Sequence, residues 1–356
     1  MFQFIKSLFD KKCTCKRCSC GLSEAPVELF KPLEVTYSPF NFPLSGSTAI
    51  QGIRGIEGTD DVYVSGSVAF DKTDVQGVIY KGPLSHNGSL GKWYTFTFKN
   101  ELVNDTYNTS IYGPCDLGDG NIRFVGSYKT TTMGQSAQGM LYQGPLDGTG
   151  TYITIAPNRG ATMNVYVHST MGDLAVGNYD TALINDVAFI YDIKRYTYTD
   201  FKAPNARTTT LYGIWHNGGD SYTLAGGYSV LEVGKLSQAF LCDYNRVTGE
   251  VTNFTTFNGL NQHIRTFVTH FEGINASCNG YDLAAGFANV EVGGGAAYVQ
   301  VARKSDGSFT LAKWTDLKYP DTAVKITTSD TVYKKNILGV IVTKDGISAY
   351  LAKLNK

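Results

Sequence analysis

Charge is what this sequence has least of. Asp, Glu, Lys and Arg make up 17% of its 356 residues, and 31 of each sign cancel to zero; soluble domains average about 25% charged residues. A balance this low and this even excludes a disordered chain, a coiled coil and a nucleic-acid binder working through bulk charge. No apolar run nears the roughly 18 residues of a spanning helix. Tryptophan occurs only 3 times and proline 10 times. In place of these there are 39 glycines, 23 tyrosines and 19 phenylalanines. The length would suit two ordinary domains of about 150 residues, but all-β folds often exceed that as one unit.

A repeat organises the chain. Short apolar runs end in glycine at Gly66, Gly126, Gly177, Gly227, Gly286 and Gly339, spaced 50 to 60 residues apart. After each comes a polar turn and a second apolar run, such as Val78-Ile79-Tyr80, Met140-Leu141-Tyr142 or Ala239-Phe240-Leu241. Two copies share a tail, Lys81-Gly82-Pro83-Leu84 and Gln143-Gly144-Pro145-Leu146. A third segment follows in the first five units, as in Thr95-Phe96-Thr97-Phe98, and one strand precedes each glycine. Segments this short, rich in Val, Ile, Thr, Tyr and Phe and bounded by Gly, Asn and Asp, read as strands joined by hairpin turns. No unit shows the 3.6-residue spacing of a helical solenoid. Four antiparallel strands repeated radially make a β-propeller.

The expected fold is therefore all-β, a six-bladed propeller. The blades are read at about 45–100, 101–158, 159–205, 206–259, 260–321 and 322–356. The last unit holds only three strands, while the strand Pro32–Tyr37 belongs to no unit of its own. Residues 28–40 are accordingly expected to supply the outer strand of blade six, closing the ring and removing two open sheet edges.

Signatures of named propeller types are missing: there is no repeated Gly pair with spaced Tyr and Trp, no Trp-Asp dipeptide, and no Asp-box spacing around Ser305-Asp306-Gly307. Blade four, through Gly227-Tyr228-Ser229 and Ala239-Phe240-Leu241, resembles the HAF-type repeats. Gln238 stands where that motif opens with His, and the other blades match loosely. The resemblance implies a propeller without assigned function, and no catalytic residues travel with it.

Residues 1–25 differ from the rest. Phe2, Phe4, Ile5, Leu8 and Phe9 adjoin Lys6, Lys11, Lys12, Lys16 and Arg17, ahead of and among Cys13, Cys15, Cys18 and Cys20. Three readings stay open for the clustered cysteines: S-acylation with peripheral membrane contact through residues 1–20, tetrahedral Zn²⁺ binding, or a plain tail. The segment is too short and too charged for a secretory signal. With Cys115, Cys242 and Cys278 in separate blades, reduced thiols and an intracellular location are expected, in or beside a larger particle or membrane.

Candidate sites are sparse. His168, His216 and His270 close the first strands of successive blades, with Cys115 in the comparable place, and could converge on a transition metal. His263 and Arg265 are the candidate ligand-binding pair in blade five. The inner strands of the first four blades, read as Thr48–Ile53, Thr109–Tyr112, Asn164–Tyr166 and Thr209–Tyr212, hold no Asp or Glu. Glycan hydrolysis needs such carboxylates. The leading expectation is thus a non-enzymatic scaffold presenting a neutral Tyr-rich surface to a protein partner, with no cofactor beyond Zn at the leader. The alternatives are a carbohydrate-binding or carbohydrate-active propeller, and a structural component of a virion or surface layer. Nucleic acid is not an expected partner.

Overall fold

The computed structural model describes residues 33–355, apart from 45, 72–73, 158–161, 183–184, 231–236, 259–267 and 290–292. Six antiparallel sheets surround one axis. Blade 1 runs Ser47–Gly55, Val62–Ala69, Val75–Gly82 and Lys92–Phe96 from the inside outwards. Blade 4 repeats the order with Ala206–Gly218, Ser221–Val230, Gln238–Asn245 and Val251–Phe257. Blades 2, 3 and 5 begin at the inner strands Thr106–Gly118, Thr162–Met171 and Val268–Ser277. In blade 6 the inner strand is broken into Ile326–Thr327 and Thr331–Tyr333, both paired with Asn336–Thr343.

The ring closes as the strand count requires. Glu34–Pro39 pairs antiparallel with the last strand, Gly346–Asn355, from Glu34 opposite Asn355 to Pro39 opposite Tyr350. Tyr37 packs edge-on against Tyr319 and tilted against Tyr350, with ring centroids 5.4 and 5.8 Å away. The last blade thereby gains its fourth, outer strand, and Gly346–Asn355 is no longer an unpaired edge.

Radial position explains the sequence pattern. The third strand of each blade is sandwiched between neighbouring blades, so both its faces are covered and it reads as an unbroken apolar run. Val78, Ile79 and Tyr80 are buried, as are Met140, Leu141 and Tyr142, and Ala239 through Cys242. A buried tyrosine must pair its hydroxyl, and the shared tail does this. Tyr80 Oη donates to the Pro83 carbonyl at 2.7 Å, and Tyr142 Oη to that of Pro145 at 2.5 Å. Outer strands such as Val251–Phe257 meet solvent and keep mostly polar residues.

The repeated glycine marks a crowded spot. A Cβ on Gly66 would lie 2.0 Å from the Ala49 carbonyl oxygen, and one on Gly126 1.9 Å from that of Ser110. In blade 4 the residue in this place is Gly226, opposite Leu211, rather than Gly227; in blade 5 it is Ala285, opposite Phe271. Arginines then tie blades together. Arg246 of blade 4 pairs with Asp192 of blade 3 at 2.8 Å, and Arg303 of blade 5 with Asp243 of blade 4 at 2.7 Å.

Candidate active site

Each unbroken inner strand carries the same irregularity. Its register against the second strand slips between Ile50 and Gly52, Ile111 and Gly113, Val167 and Ser169, Leu211 and Gly213, and Phe271 and Gly273. The residue left over in each slip is a β-bulge, which bends the strand and re-aims one side chain. These residues are Gln51, Tyr112, His168, Tyr212 and Glu272. In blade 6 Asp330 takes the place, in the gap of the broken strand, with its N–H donating to the Leu338 carbonyl at 3.0 Å. All six line one cavity of about 400 Å³, together with Tyr166, Asn178 and Asp186. Small residues follow each bulge and let the strands crowd the axis: a Cβ on Gly52 would sit 2.0 Å from the Tyr112 carbonyl oxygen.

The wall divides into two chemistries. On blades 2 to 4, His168 lies between aromatic rings, stacked on Tyr112 at 5.5 Å and edge-on to Tyr212 at 4.5 Å. Its Nε2 lies 2.6 Å from Asn178 Oδ1, and Asn178 Nδ2 donates to Asp186 Oδ1 at 3.4 Å. Because the Asn amide oxygen only accepts, Nε2 carries the proton. Burial holds His168 down to about 4, overriding the Asn178 contact, so the ring is neutral. Burial likewise pushes Tyr112 up to about 12 and raises Tyr212 further. Asp186, at φ 58°, is raised by burial and by the charge of Asp180.

Blades 5 and 6 hold charge. His270 Nε2 sits 2.5 Å from Glu272 Oε1. Burial disfavours the imidazolium, but Glu272, by charge and hydrogen bond, and then Asp330 outweigh it and raise His270 above its ordinary value. Asp330 is pushed up to about 8, first by burial and then by the charge of Glu272, against the Thr328 hydroxyl and His270. Thr328 Oγ1 donates to Asp330 Oδ2 at 2.7 Å. The two neighbouring carboxyls therefore differ in setting: Asp330, buried beside Glu272, keeps its proton at neutral pH, while Glu272 is engaged by His270.

Of the sequence-derived candidates, His168 lines the pore, and His270 contacts two of its lining residues, Glu272 and Tyr212. His216 lies away from the pore: it sits at the far end of its strand, tilted against Tyr222 with ring centroids 4.7 Å apart, and with Nε2 2.9 Å from the Gly219 carbonyl oxygen. The three histidines form no common ligand set, and among the described residues no group of three His, Cys, Asp or Glu is placed to hold a metal. His263 and Arg265, and Cys13, Cys15, Cys18 and Cys20, lie outside the described residues. Cys115 is buried and disulfide-bonded, so the expectation of reduced thiols fails there; Cys242 and Cys278 are free.

The four segments read as inner strands do lack acids, but the pore does not: Asp186 of blade 3 lines it, and the last two blades add Glu272 and Asp330. A legible signal existed. Ile50-Gln51-Gly52-Ile53, Ile111-Tyr112-Gly113-Pro114, Leu211-Tyr212-Gly213-Ile214 and Phe271-Glu272-Gly273-Ile274 share one pattern, an apolar residue, a variable one, glycine and another apolar or cyclic residue. Val167-His168-Ser169-Thr170 and Ser329-Asp330-Thr331-Val332 are its degenerate forms.

No protein-family model matches the chain, and no curated protein matches it in sequence. Solved structures share its fold. A protein of unknown function from Dyadobacter fermentans is 12% identical, with TM-score 0.54 over 90% of this chain and 99% of its own. The GH93 alpha-L-arabinofuranosidase of Fusarium graminearum, solved with arabinobiose, is 12% identical, with TM-score 0.51 over 88% and 96%. A beta-1,2-mannobiose phosphorylase from Listeria innocua is 9% identical, with TM-score 0.44 over 91% of each. The first two similarities support the propeller fold. The expectation of a non-enzymatic scaffold is corrected on two counts. Its premise of an acid-free pore fails at Glu272 and Asp330, and the arabinofuranosidase, a carbohydrate-active enzyme, is similar to this chain in fold.

Proposed function

We propose that this protein is a carbohydrate-active enzyme that cleaves glycosidic bonds in the central pore. The observation carrying the reading is the pair Glu272 and Asp330, on adjacent blades at equivalent backbone positions and facing one cavity, with Asp330 held in its protonated form at neutral pH. Glycoside cleavage asks for one carboxylic acid to protonate the leaving oxygen and one carboxylate to meet the positive charge that develops at the sugar ring. Asp330 supplies the proton. Its burial beside an anion is what keeps a carboxyl protonated at neutral pH, as acid catalysis requires. Glu272 supplies the negative charge, held in one orientation by His270. Tyr112, Tyr212 and His168 offer aromatic faces and hydrogen-bonding edges suited to a neutral sugar ring, and the arabinofuranosidase of similar fold acts on such sugars.

The test is hydrolysis of a panel of 4-nitrophenyl glycosides of neutral pentoses and hexoses by the full chain. Release of nitrophenol by the wild type and not by Glu272→Gln or Asp330→Asn supports the reading. Release by all three proteins alike, or by none, sinks it. The anomer first formed, followed by proton NMR, then states whether Glu272 attacks the sugar or activates water.

A further inference from the structure

The pore has a floor, and one side chain builds it. Arg54 lies three residues beyond Gln51 on the inner strand of blade 1 and is 8% exposed. Its guanidinium crosses the axis. Nη1 donates to the Ile53 carbonyl at 3.1 Å and to that of Ile274, in blade 5, at 3.2 Å. Nη2 donates to the Ile214 carbonyl of blade 4 at 2.9 Å and to Ser169 Oγ of blade 3 at 3.3 Å. The group also lies over the Trp215 ring, 5.7 Å from its centroid. Below the bulge ring the free space shrinks from about 400 Å³ to about 10 Å³, barely one water. A buried cation bound to three carbonyls and a hydroxyl is costly to displace, because every partner would be stranded with it.

Charge adds a second restriction. Among the described residues, the upper cavity is lined by Asp186, Glu272 and Asp330 and by no lysine or arginine.

From these observations we infer that the pore is a blind pocket that takes only the end of a glycan and releases one neutral residue at a time. The inference rests on the glycoside-cleaving reading above and adds where on the chain cleavage falls and which sugars enter. An enzyme cutting mid-chain must let the polymer leave in two directions, and here Arg54 shuts one of them. A uronic acid would bring a second anion against Glu272 in a poorly solvated space. The step itself is hydrolysis: the bond between the anomeric carbon and the bridging oxygen breaks, that oxygen takes the Asp330 proton, and water supplies hydroxide to the sugar and a proton back to the enzyme.

The experiment uses neutral pentose and hexose oligosaccharides labelled at the reducing end. Each is supplied free or with a bulky acetal on its non-reducing terminal residue, alongside nitrophenyl glucuronide and galacturonide. The ladder should shorten by one residue per event, with monosaccharide as the first unlabelled product. Capped chains and uronides should react at least about tenfold more slowly than their counterparts. Mid-chain fragments appearing first, or capped chains cleaved as fast as free ones, overturn the blind pocket and leave the glycosidase reading standing. Uronides cleaved as fast as neutral sugars overturn the charge restriction. No cleavage of any oligosaccharide or aryl glycoside removes the glycosidase reading and this inference together.

Discussion

On one side of the pore, blades 2 to 4 present Tyr112, His168 and Tyr212 from their bulges; on the other, blades 5 and 6 present Glu272 and Asp330. The backbone device is shared and the chemistry is not. On the first side burial dominates, leaving a histidine neutral and tyrosines hard to ionise. On the second, burial and then the charge of Glu272 keep Asp330 protonated, while Glu272 itself binds a histidine. The difference teaches that a ring of equivalent positions lets single residues set local function while neighbouring blades hold the frame. A substitution at a bulge changes a side chain already aimed at the axis, and the second-strand residue opposite the bulge stays as it was.

The sharpest way to break this contrast is to swap residues within each wall. Glu272→Gln and Asp330→Asn should each lower kcat/KM by about 10²- to 10⁴-fold on the aryl glycoside cleaved best. Tyr112→Phe and Tyr212→Phe should cost about tenfold or less, the scale of one hydrogen bond. Equal losses on both sides would dissolve the distinction.

Stability gives a second test with its own sign. Asp330 is raised to about 8 in the folded protein, far above an unfolded carboxyl near 4. Between those values the native state binds the extra proton, so this group makes stability fall as pH rises from about 4 to about 8. Asp330→Asn should remove that slope and raise stability at pH 8 by a few kcal/mol, read from urea unfolding at several pH values. The same titration predicts that wild-type kcat/KM declines as pH climbs through about 8, where the acid is lost.

The opposite wall should respond to acid instead. His168 is held down to about 4, below the unfolded value near 6.5. Over that interval the unfolded chain binds more protons, so stability drops as pH falls from about 6.5 to about 4. His168→Gln should flatten this limb and raise KM more than it lowers kcat, in steady-state kinetics with the same glycoside. The smallest effect belongs to His216→Asn, at the far end of its strand. It should leave kinetics unchanged and stability within about 0.5 kcal/mol; a marked loss of activity would place the site elsewhere.

Much of the fold was legible because propeller blades repeat. Runs such as Ala239-Phe240-Leu241-Cys242 state that a strand is covered on both faces, and the lone strand at Glu34–Pro39 matched a unit lacking one. The site was less legible. His168 and His270 were found, since histidines late in first strands draw notice, but His216 was grouped with them on a count that ignored the bulge. One slipped residue per strand reverses which side faces the axis, and alternation does not record it. Glu272 sat unread inside Phe271-Glu272-Gly273-Ile274, and Asp330 inside a strand too broken to recognise.

The order of apolar runs, turns and glycines determined by itself that this chain forms blades, how many, and how its two ends join, because burial on two faces and hairpin geometry are local demands written into neighbouring residues. Only the tertiary structure decided that Glu272, His270 and Asp330 stand close enough to shift one another's titration and that Arg54 spans to three other blades. Those relations couple residues up to 220 positions apart. They depend on burial and charge that exist only once the ring has closed.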